Sequence, residues 1–184
     1  MIEKLYKTHK TVFTFREIAM ILSEENKDSL KSRINYYVKA KRLNNVRKGL
    51  YCLDEYSKEE LACKLYTPTY LSLEYVLQKE GVIFQYQNDL TIISYLSRNI
   101  MMESIQYSYR KIKKDILFNT KGIIRGENIN IATKERAILD ILYLKKDFYF
   151  DNLNNIDFEL IDQLLEQVYC SYALSMRAKR LLNV

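Results

Sequence analysis

The sequence of 184 residues has few glycines, one proline, one histidine and no tryptophan, and these shortages exclude several kinds of site. Walker loops and dinucleotide fingerprints need clustered glycines, which bring backbone amides close to a phosphate. The glycines of this chain are Gly49, Gly81, Gly122 and Gly126. Their smallest spacing is four residues, and a catalytic triad or histidine-rich metal site would have to use His9 alone. The sequence therefore predicts no catalytic residues, no cofactor and no metal site.

Cysteines and long apolar runs are also scarce. Cys52, Cys63 and Cys170 are odd in number and lack CxxC spacing, which favours buried free thiols in a reducing cytoplasm. The first ten residues contain no apolar signal-peptide core, and no run approaches the roughly 18 apolar residues that cross a bilayer. We therefore expect a cytoplasmic protein without a membrane partner.

Positive charge is abundant but unevenly distributed. The formal net charge is +6. Residues 1–53 hold twelve Lys and Arg against five Asp and Glu, a net charge of +7, which leaves −1 for the rest of the chain. This asymmetry predicts two modules, of which the first faces a polyanion. Nucleic acid is the leading candidate, because its phosphates supply the sequence-independent part of binding to Lys and Arg.

The N-terminal module is predicted to be a helix-turn-helix followed by a β-hairpin. Thr14 and Glu17 have the spacing of a capping box, which opens a short helix. An amphipathic second helix is predicted over 28–41, and a hairpin over 46–53 with Gly49 at its tip. The buried side of the second helix is expected to consist of Leu30, Ile34, Tyr37 and Val38. This order is typical of a winged helix-turn-helix, whose second helix enters the major groove of DNA.

The outer face of that helix and the hairpin carry the candidate DNA-binding residues. The residues expected to reach base edges are Ser29, Lys31, Ser32, Asn35 and Tyr36. The residues expected to contact phosphates are Lys27, Arg33, Lys39, Arg42, Arg47 and Lys48. Base contacts specify sequence, whereas phosphate contacts position the protein. Because basic helix faces are common on ordinary solvated surfaces, the hypothesis depends on the helix, turn, helix and basic hairpin occurring together.

The remainder of the chain is predicted to form a second domain. We expect the DNA-binding domain in residues 1–56 and a mixed α+β domain in residues 57–184. Strands are expected at about 82–85, 90–95, 105–112 and 123–131, and helices at about 72–81, after Thr133 and in two C-terminal stretches. Arg136 and Asp140 form an i, i+4 pair on the helix after Thr133. The chain as a whole is therefore predicted to be an α+β protein.

Three stretches carry a family resemblance when they are taken together and in order. They are the predicted winged helix, which ends in residues 47–51 (RKGLY), then residues 66–77 (YTPTYLSLEYVL) closed by 81–83 (GVI), and residues 132–140 (ATKERAILD). Together they resemble the AbiEi-type antitoxins of bacterial abortive-infection toxin–antitoxin operons, which are classed as type IV. The resemblance covers most of the chain.

The resemblance implies a transcriptional autorepressor that binds inverted repeats in its own promoter. The family's DNA-contacting face corresponds here to the helix at 28–41 and the wing at Arg47 and Lys48. The C-terminal domain would neutralise a nucleotidyltransferase toxin encoded next to it, and such antitoxins are usually described as not needing a stable complex with the toxin. Since one winged helix covers only about 600–1,000 Å² of DNA interface, we expect cooperative pairing or a homodimer on paired half-sites.

Two other functions are compatible with these residues. A nuclease guided by a winged helix usually needs an Asp followed by Glu-x-Lys on adjacent strands, and the nearest segment, residues 111–115, lacks the glutamate. A one-component regulator would instead bind a small ligand in its second domain. A nucleotidyltransferase gene immediately downstream is expected only for the antitoxin. The leading hypothesis is a DNA-binding antitoxin that is not an enzyme.

Overall fold

The computed structural model describes residues 2–86, 88–145 and 147–182 and divides the chain into two compact units, residues 1–65 and 66–184. Helices occur together with strands in sheets, which confirms the predicted α+β class. Within the described residues, none of the helices has the length and apolar character that crossing a membrane would require.

The first unit combines helices with a small antiparallel sheet. Its elements are α1 (Ile2–Tyr6), β1 (Val12–Thr14), α2 (Phe15–Leu22), α3 (Lys27–Lys39), β2 (Asn44–Arg47), β3 (Leu50–Cys52) and α4 (Lys58–Leu65). Strand β3 lies in the middle of the sheet, antiparallel to both β1 and β2. The core consists of Leu5, Phe13, Ile18, Leu30, Ile34, Leu43, Tyr51 and Leu53. This core holds α2 and α3 against the sheet.

Local sequence signals account for the boundaries of α2, α3 and the hairpin. The backbone N–H of Thr14 donates to Glu17 Oε2 at 2.7 Å and the N–H of Glu17 donates to Thr14 Oγ1 at 3.2 Å, which confirms the capping box. The side chain of Asn26 caps α3, so this helix spans Lys27–Lys39 rather than the predicted 28–41. Gly49 has φ +80° between β2 and β3, as a hairpin tip requires.

Helix α4 belongs to the first unit, which differs from the predicted domain boundary at 56/57. The N–H and hydroxyl of Thr11 donate to Glu60 Oε2 at 2.8 and 2.7 Å. Lys64 pairs with Glu17 at 3.0 Å and donates to the carbonyl of Val12. These polar contacts between α4 and the β1–α2 segment are long-range in sequence, so hydropathy and charge patterns do not reveal them.

The second unit is built on a mixed six-stranded sheet in the order β6-β7-β5-β4-β9-β8. Its strands are β4 (Thr69–Leu71), β5 (Leu90–Ser94), β6 (Arg98–Met102), β7 (Ile105–Lys111), β8 (Ile123–Arg125) and β9 (Asn130–Ala132). Its helices are α5 (Leu73–Lys79), α6 (Lys114–Phe118), α7 (Lys134–Leu144), α8 (Phe158–Leu164) and α9 (Tyr172–Leu182), and a π-helical turn follows α8 at Leu165–Tyr169. Strands β5 and β7 are parallel neighbours.

Several local expectations for the second unit are wrong. Residues 82–85 form no strand, and the strand predicted at 123–131 is the antiparallel pair β8–β9. Ser72, the first residue of the predicted helix at 72–81, is expected to cap that helix, but its hydroxyl makes no cap bond to α5 because it donates to Asp140 instead. Cys170 is exposed rather than buried, whereas the other two cysteines are buried free thiols.

A fully buried ion pair lies at the centre of the second unit. Arg136 Nε lies 3.6 Å from Asp140 Oδ1, and both side chains are 0% exposed. Tyr169 and Ser72 donate their hydroxyls to the Asp140 carboxylate at 2.7 and 2.8 Å, and Tyr70 does so at 3.2 Å. Burial raises the pKa of the Asp140 carboxyl above its usual value, although Arg136 and the three hydroxyls favour the charged form. The predicted i, i+4 pair is confirmed, with additional partners on distant elements.

Candidate nucleic-acid interface

The candidate interface lies on α3 and the β2–β3 hairpin of the first unit. Every one of the predicted DNA-binding residues is exposed. They are Lys27, Ser29, Lys31, Ser32, Arg33, Asn35, Tyr36, Lys39, Arg42, Arg47 and Lys48. Such a set is available to a ligand without any rearrangement of the core.

Helix α3 is held by one side and leaves the other uncovered. Leu30 and Ile34 are 1% and 0% exposed and insert into the core of the unit. At 3.6 residues per turn, Ser32, Tyr36 and Lys39 lie on the opposite side of the helix. An exposed fraction of 67% for Tyr36 agrees with this geometry. The outer side thus presents hydroxyl, phenol and ammonium groups to solvent.

The lysines of this surface are not neutralised by carboxylates. Among the residues that the structure describes, Lys27, Lys31, Lys39 and Lys48 form no salt bridge and no side-chain hydrogen bond. Lys48 lies at the exposed hairpin tip beside Gly49. Exposed ammonium groups without a carboxylate partner raise the local positive potential, which attracts polyanions. Lys31, which the sequence places among the base-contacting candidates, is thus also available to phosphate, and these four lysines are the strongest phosphate-binding candidates of the set.

Two of the predicted arginines already have partners within the unit. Arg33 Nη1 lies 3.1 Å from Glu24 Oε2, and the pair is partly exposed. Arg47 Nη1 donates to the carbonyl of Leu65, the last residue of α4, at 3.3 Å. Binding a phosphate with either guanidinium would require these contacts to be exchanged or shared. The structure therefore ranks Arg33 and Arg47 below the four lysines as phosphate contacts.

The charge asymmetry is smaller when the observed boundary is used. Residues 1–65 hold fourteen Lys and Arg against nine Asp and Glu, a net charge of +5, and residues 66–184 have a net charge of +1. Part of the negative charge of the first unit is engaged, since Glu17 and Glu60 both pair with Lys64. Burial would raise the pKa of Glu17, but hydrogen bonds from Thr14 and Lys64 outweigh it and lower the pKa below its usual value.

Sequence patterns did not indicate every feature of this surface. Asp28 is exposed in the first turn of α3, beside the predicted base-contacting residues. Its negative charge also interacts favourably with the positive end of the helix macrodipole. The contacts of Arg33 and Arg47 join residues nine and eighteen positions apart. Charge and helix position, which indicate phosphate contacts, carry no information about either of these two contacts.

Comparison with other proteins does not assign a function to this surface. No protein-family model matches the chain, and no curated protein matches it either. In the described part of the chain, no group of three or more His, Cys, Asp or Glu side chains could hold a metal ion. The functional hypothesis rests on the exposed basic surface and on the family resemblance of the sequence.

Proposed function

We propose that the first unit binds double-stranded DNA as a winged helix-turn-helix, with α3 in the major groove and the β2–β3 hairpin as the wing. The observation that carries this proposal is the joint exposure of all eleven candidate residues, together with the uncompensated charge of Lys27, Lys31, Lys39 and Lys48. Side chains that are neither buried nor paired can exchange water for phosphate and base contacts at little structural cost.

We further propose that the protein is a type IV antitoxin that acts by binding rather than by catalysis. It would repress its own operon through paired promoter half-sites, and its second unit would neutralise a nucleotidyltransferase toxin encoded next to it. The resemblance to AbiEi-type antitoxins in residues 47–51, 66–77 and 132–140 supports this part of the proposal. The limited area of one winged helix supports cooperative pairing on DNA.

Salt-dependent DNA binding tests the electrostatic part of the interface. Lys31→Gln should weaken binding to promoter and random duplexes alike and make the slope of log K against log salt shallower by about 0.9. Arg33→Gln should change the slope less, because Arg33 is already paired with Glu24. Lys179→Gln, an exposed lysine on α9, is the charge-matched control. Absence of DNA binding by the unaltered protein at low salt would refute the proposal.

Discrimination between sequences tests the role of the helix face. Asn35→Ala should lower the affinity for the promoter by about 5- to 150-fold, as expected for loss of a bidentate base contact. Its affinity for random DNA should stay within about twofold of the unaltered value, since phosphate contacts are retained. Equal losses on both duplexes would place Asn35 outside base recognition. Fluorescence anisotropy with labelled duplexes measures both affinities.

Rescue of growth tests the antitoxin role separately from DNA binding. The neighbouring nucleotidyltransferase gene is expressed together with this chain, which is supplied from an unrelated promoter. We expect the unaltered chain to restore growth, and the Lys31→Gln/Asn35→Ala variant to restore it equally well, because neutralisation is assigned to the second unit. Failure of the unaltered chain to restore growth would contradict the antitoxin proposal but leave the DNA-binding proposal intact.

A further inference from the structure

A cavity of about 320 Å³ lies in the second unit, between the parallel strands β5 and β7 and the helices α5 and α7. Its sheet side carries Asp89, Gln106, Ser108 and Arg110, and none of these residues belongs to the proposed DNA interface. The volume lies within the range of small-molecule sites, which is about 300–1,000 Å³.

The polar character of this sheet face is unusual for its position. In the β5–β7 register, Thr91 pairs with Ser108 and Ile93 with Arg110. Residues that alternate with these, such as Tyr107 and Tyr109, point to the other face of the sheet. A sheet face covered by helices is normally apolar, because it forms the core. Hydrophobic packing therefore does not explain the polar row that lines the cavity.

Hydrogen-bonding groups of this row remain available inside the cavity. The Nε2 group of Gln106 donates to Asp89 Oδ2 at 2.9 Å and to Ser108 Oγ at 3.2 Å. Among the described residues, Gln106 Oε1, Asp89 Oδ1 and the hydroxyl hydrogen of Ser108 have no partner. Ser108 is only 2% exposed, so a bound ligand is the natural acceptor for its hydroxyl. This end of the cavity offers two acceptors and one donor.

Positive charge lies at a different position along the cavity. Arg110 donates through Nη1 to the neutral amide of Asn99 at 3.2 Å and pairs with no carboxylate in the described chain. Gln106 and Arg110 are four residues apart on β7, so their Cα atoms are about 13 Å apart. Lys145, by contrast, is neutralised by Glu74 at 2.5 Å. The cavity thus has an acceptor-rich end at Asp89 and, at Arg110, a guanidinium that no carboxylate of the described residues neutralises.

We propose that this cavity binds a phosphorylated sugar, either free or as part of a mononucleotide. Vicinal hydroxyls of the sugar donate to Asp89 and Gln106 and accept from Ser108, as carboxylates bind ribose diols in other nucleotide sites. The phosphate binds the guanidinium of Arg110, whose planar donors match its oxygens. Apolar side chains of α5 and α7, Leu73, Ile141 and Leu144, cover the remaining carbon surface of the ligand. This site goes beyond the proposed DNA-binding and antitoxin functions and depends on neither.

Isothermal titration calorimetry on the full chain tests the proposal with ribose 5-phosphate, a nucleoside monophosphate and inorganic phosphate as probes. We expect a phosphorylated sugar to bind, and Arg110→Gln and Asp89→Asn each to weaken it by about tenfold or more, as for hydrogen bonds to charged groups. Lys111→Gln is the matched control, because this exposed neighbour is in register with Ser94 on the other face of the sheet. It should leave the affinity unchanged.

The outcomes separate the proposal from simple anion binding. Tighter binding of the nucleoside monophosphate than of ribose 5-phosphate, or equal binding of both, supports the site and identifies whether a base contributes. Inorganic phosphate binding as tightly as either sugar phosphate would overturn it, as would absence of binding by both at millimolar concentration. Equal losses for Arg110→Gln and Lys111→Gln would also overturn it. Circular dichroism of each variant establishes that the fold is retained.

Discussion

Replacing Asp140 with alanine should destabilise the second unit by about 3–5 kcal/mol. The substitution leaves the guanidinium of Arg136 fully buried with two carbonyls and a phenol as partners, but without a compensating charge. Breaking a buried ion pair by removing one partner typically costs this amount. For a unit of about 120 residues, the entropy of unfolding is roughly 0.25 kcal/mol/K, so the unfolding midpoint should fall by roughly 12–20 °C.

The chain supplies a matched control for this experiment. Arg180 and Asp147 form another Arg–Asp pair at 3.5 Å, against 3.6 Å for the buried pair, but their side chains are 69% and 88% exposed. Asp147→Ala should therefore cost less than about 1 kcal/mol, because solvent screens an exposed pair. Since tryptophan is absent, circular dichroism at 222 nm across a urea gradient is a suitable measurement of both variants.

An isosteric variant distinguishes lost charge from lost volume. Asp140→Asn retains the shape of the side chain and should still lose most of the free energy of unfolding that Asp140→Ala loses. If Asp140→Ala costs no more than Asp147→Ala, burial is not what makes the pair important, and the interpretation of the network is refuted. If Asp140→Asn is as stable as the unaltered protein, hydrogen bonding rather than charge holds the site together.

Two further predictions concern the capping box and a crowded turn. The pKa of Glu17 is lower in the folded chain than the ~4.3 of an unfolded one, so the stabilisation from its charged form is complete above about pH 5 and is lost as pH falls through the folded pKa. Glu17→Gln should therefore flatten the dependence of the urea midpoint on pH between about 5 and 3. An unchanged dependence would contradict this prediction. Both Gly122 and Gly81 have positive φ, but a Cβ at Gly122 would lie 3.1 Å from Arg136 Cβ and 3.2 Å from Leu164 Cδ2, whereas at Gly81 none of the described atoms lies within 4 Å. Gly122→Ala should therefore lower the melting temperature of the protein more than Gly81→Ala does. Equal melting temperatures of the two variants would refute the crowding at Gly122.

Short-range features of the first unit could be predicted well from the sequence. The capping box of Thr14 and Glu17, the exposed side of α3 and the glycine at the hairpin tip each depend on residues within a few positions of one another. Such features follow from backbone geometry and helical periodicity. The sequence does not show whether the exposed face binds DNA, because a face that contacts only solvent and a face that contacts phosphate have the same polar pattern on a helix.

Long-range features could not be predicted, and they determine the domain boundary and the cavity. Helix α4 joins the first unit through Thr11 and Glu60, which are 49 residues apart. Asp140 finds Tyr70 and Ser72 at separations of 70 and 68 residues. The sequence pattern predicted a strand at about 105–112, where β7 lies, but it did not reveal that helices cover the polar side of that strand. Which strands are neighbours in the sheet, and which helices cover them, depends on contacts between residues that are distant in sequence.

Helix α3 is attached to the core through one side, by the buried Leu30 and Ile34 and the partly buried Tyr37 and Val38. This one-sided attachment has an evolutionary consequence. The packing contacts of α3 with the core lie on the inner side of the helix. Substitutions at Ser32, Asn35 and Tyr36 should therefore change the free energy of unfolding little. Mutational drift on the outer side can therefore generate new binding specificities while the scaffold persists. Duplicated copies of such a gene could diverge to separate operators through a few surface changes, without first acquiring compensating mutations in the core.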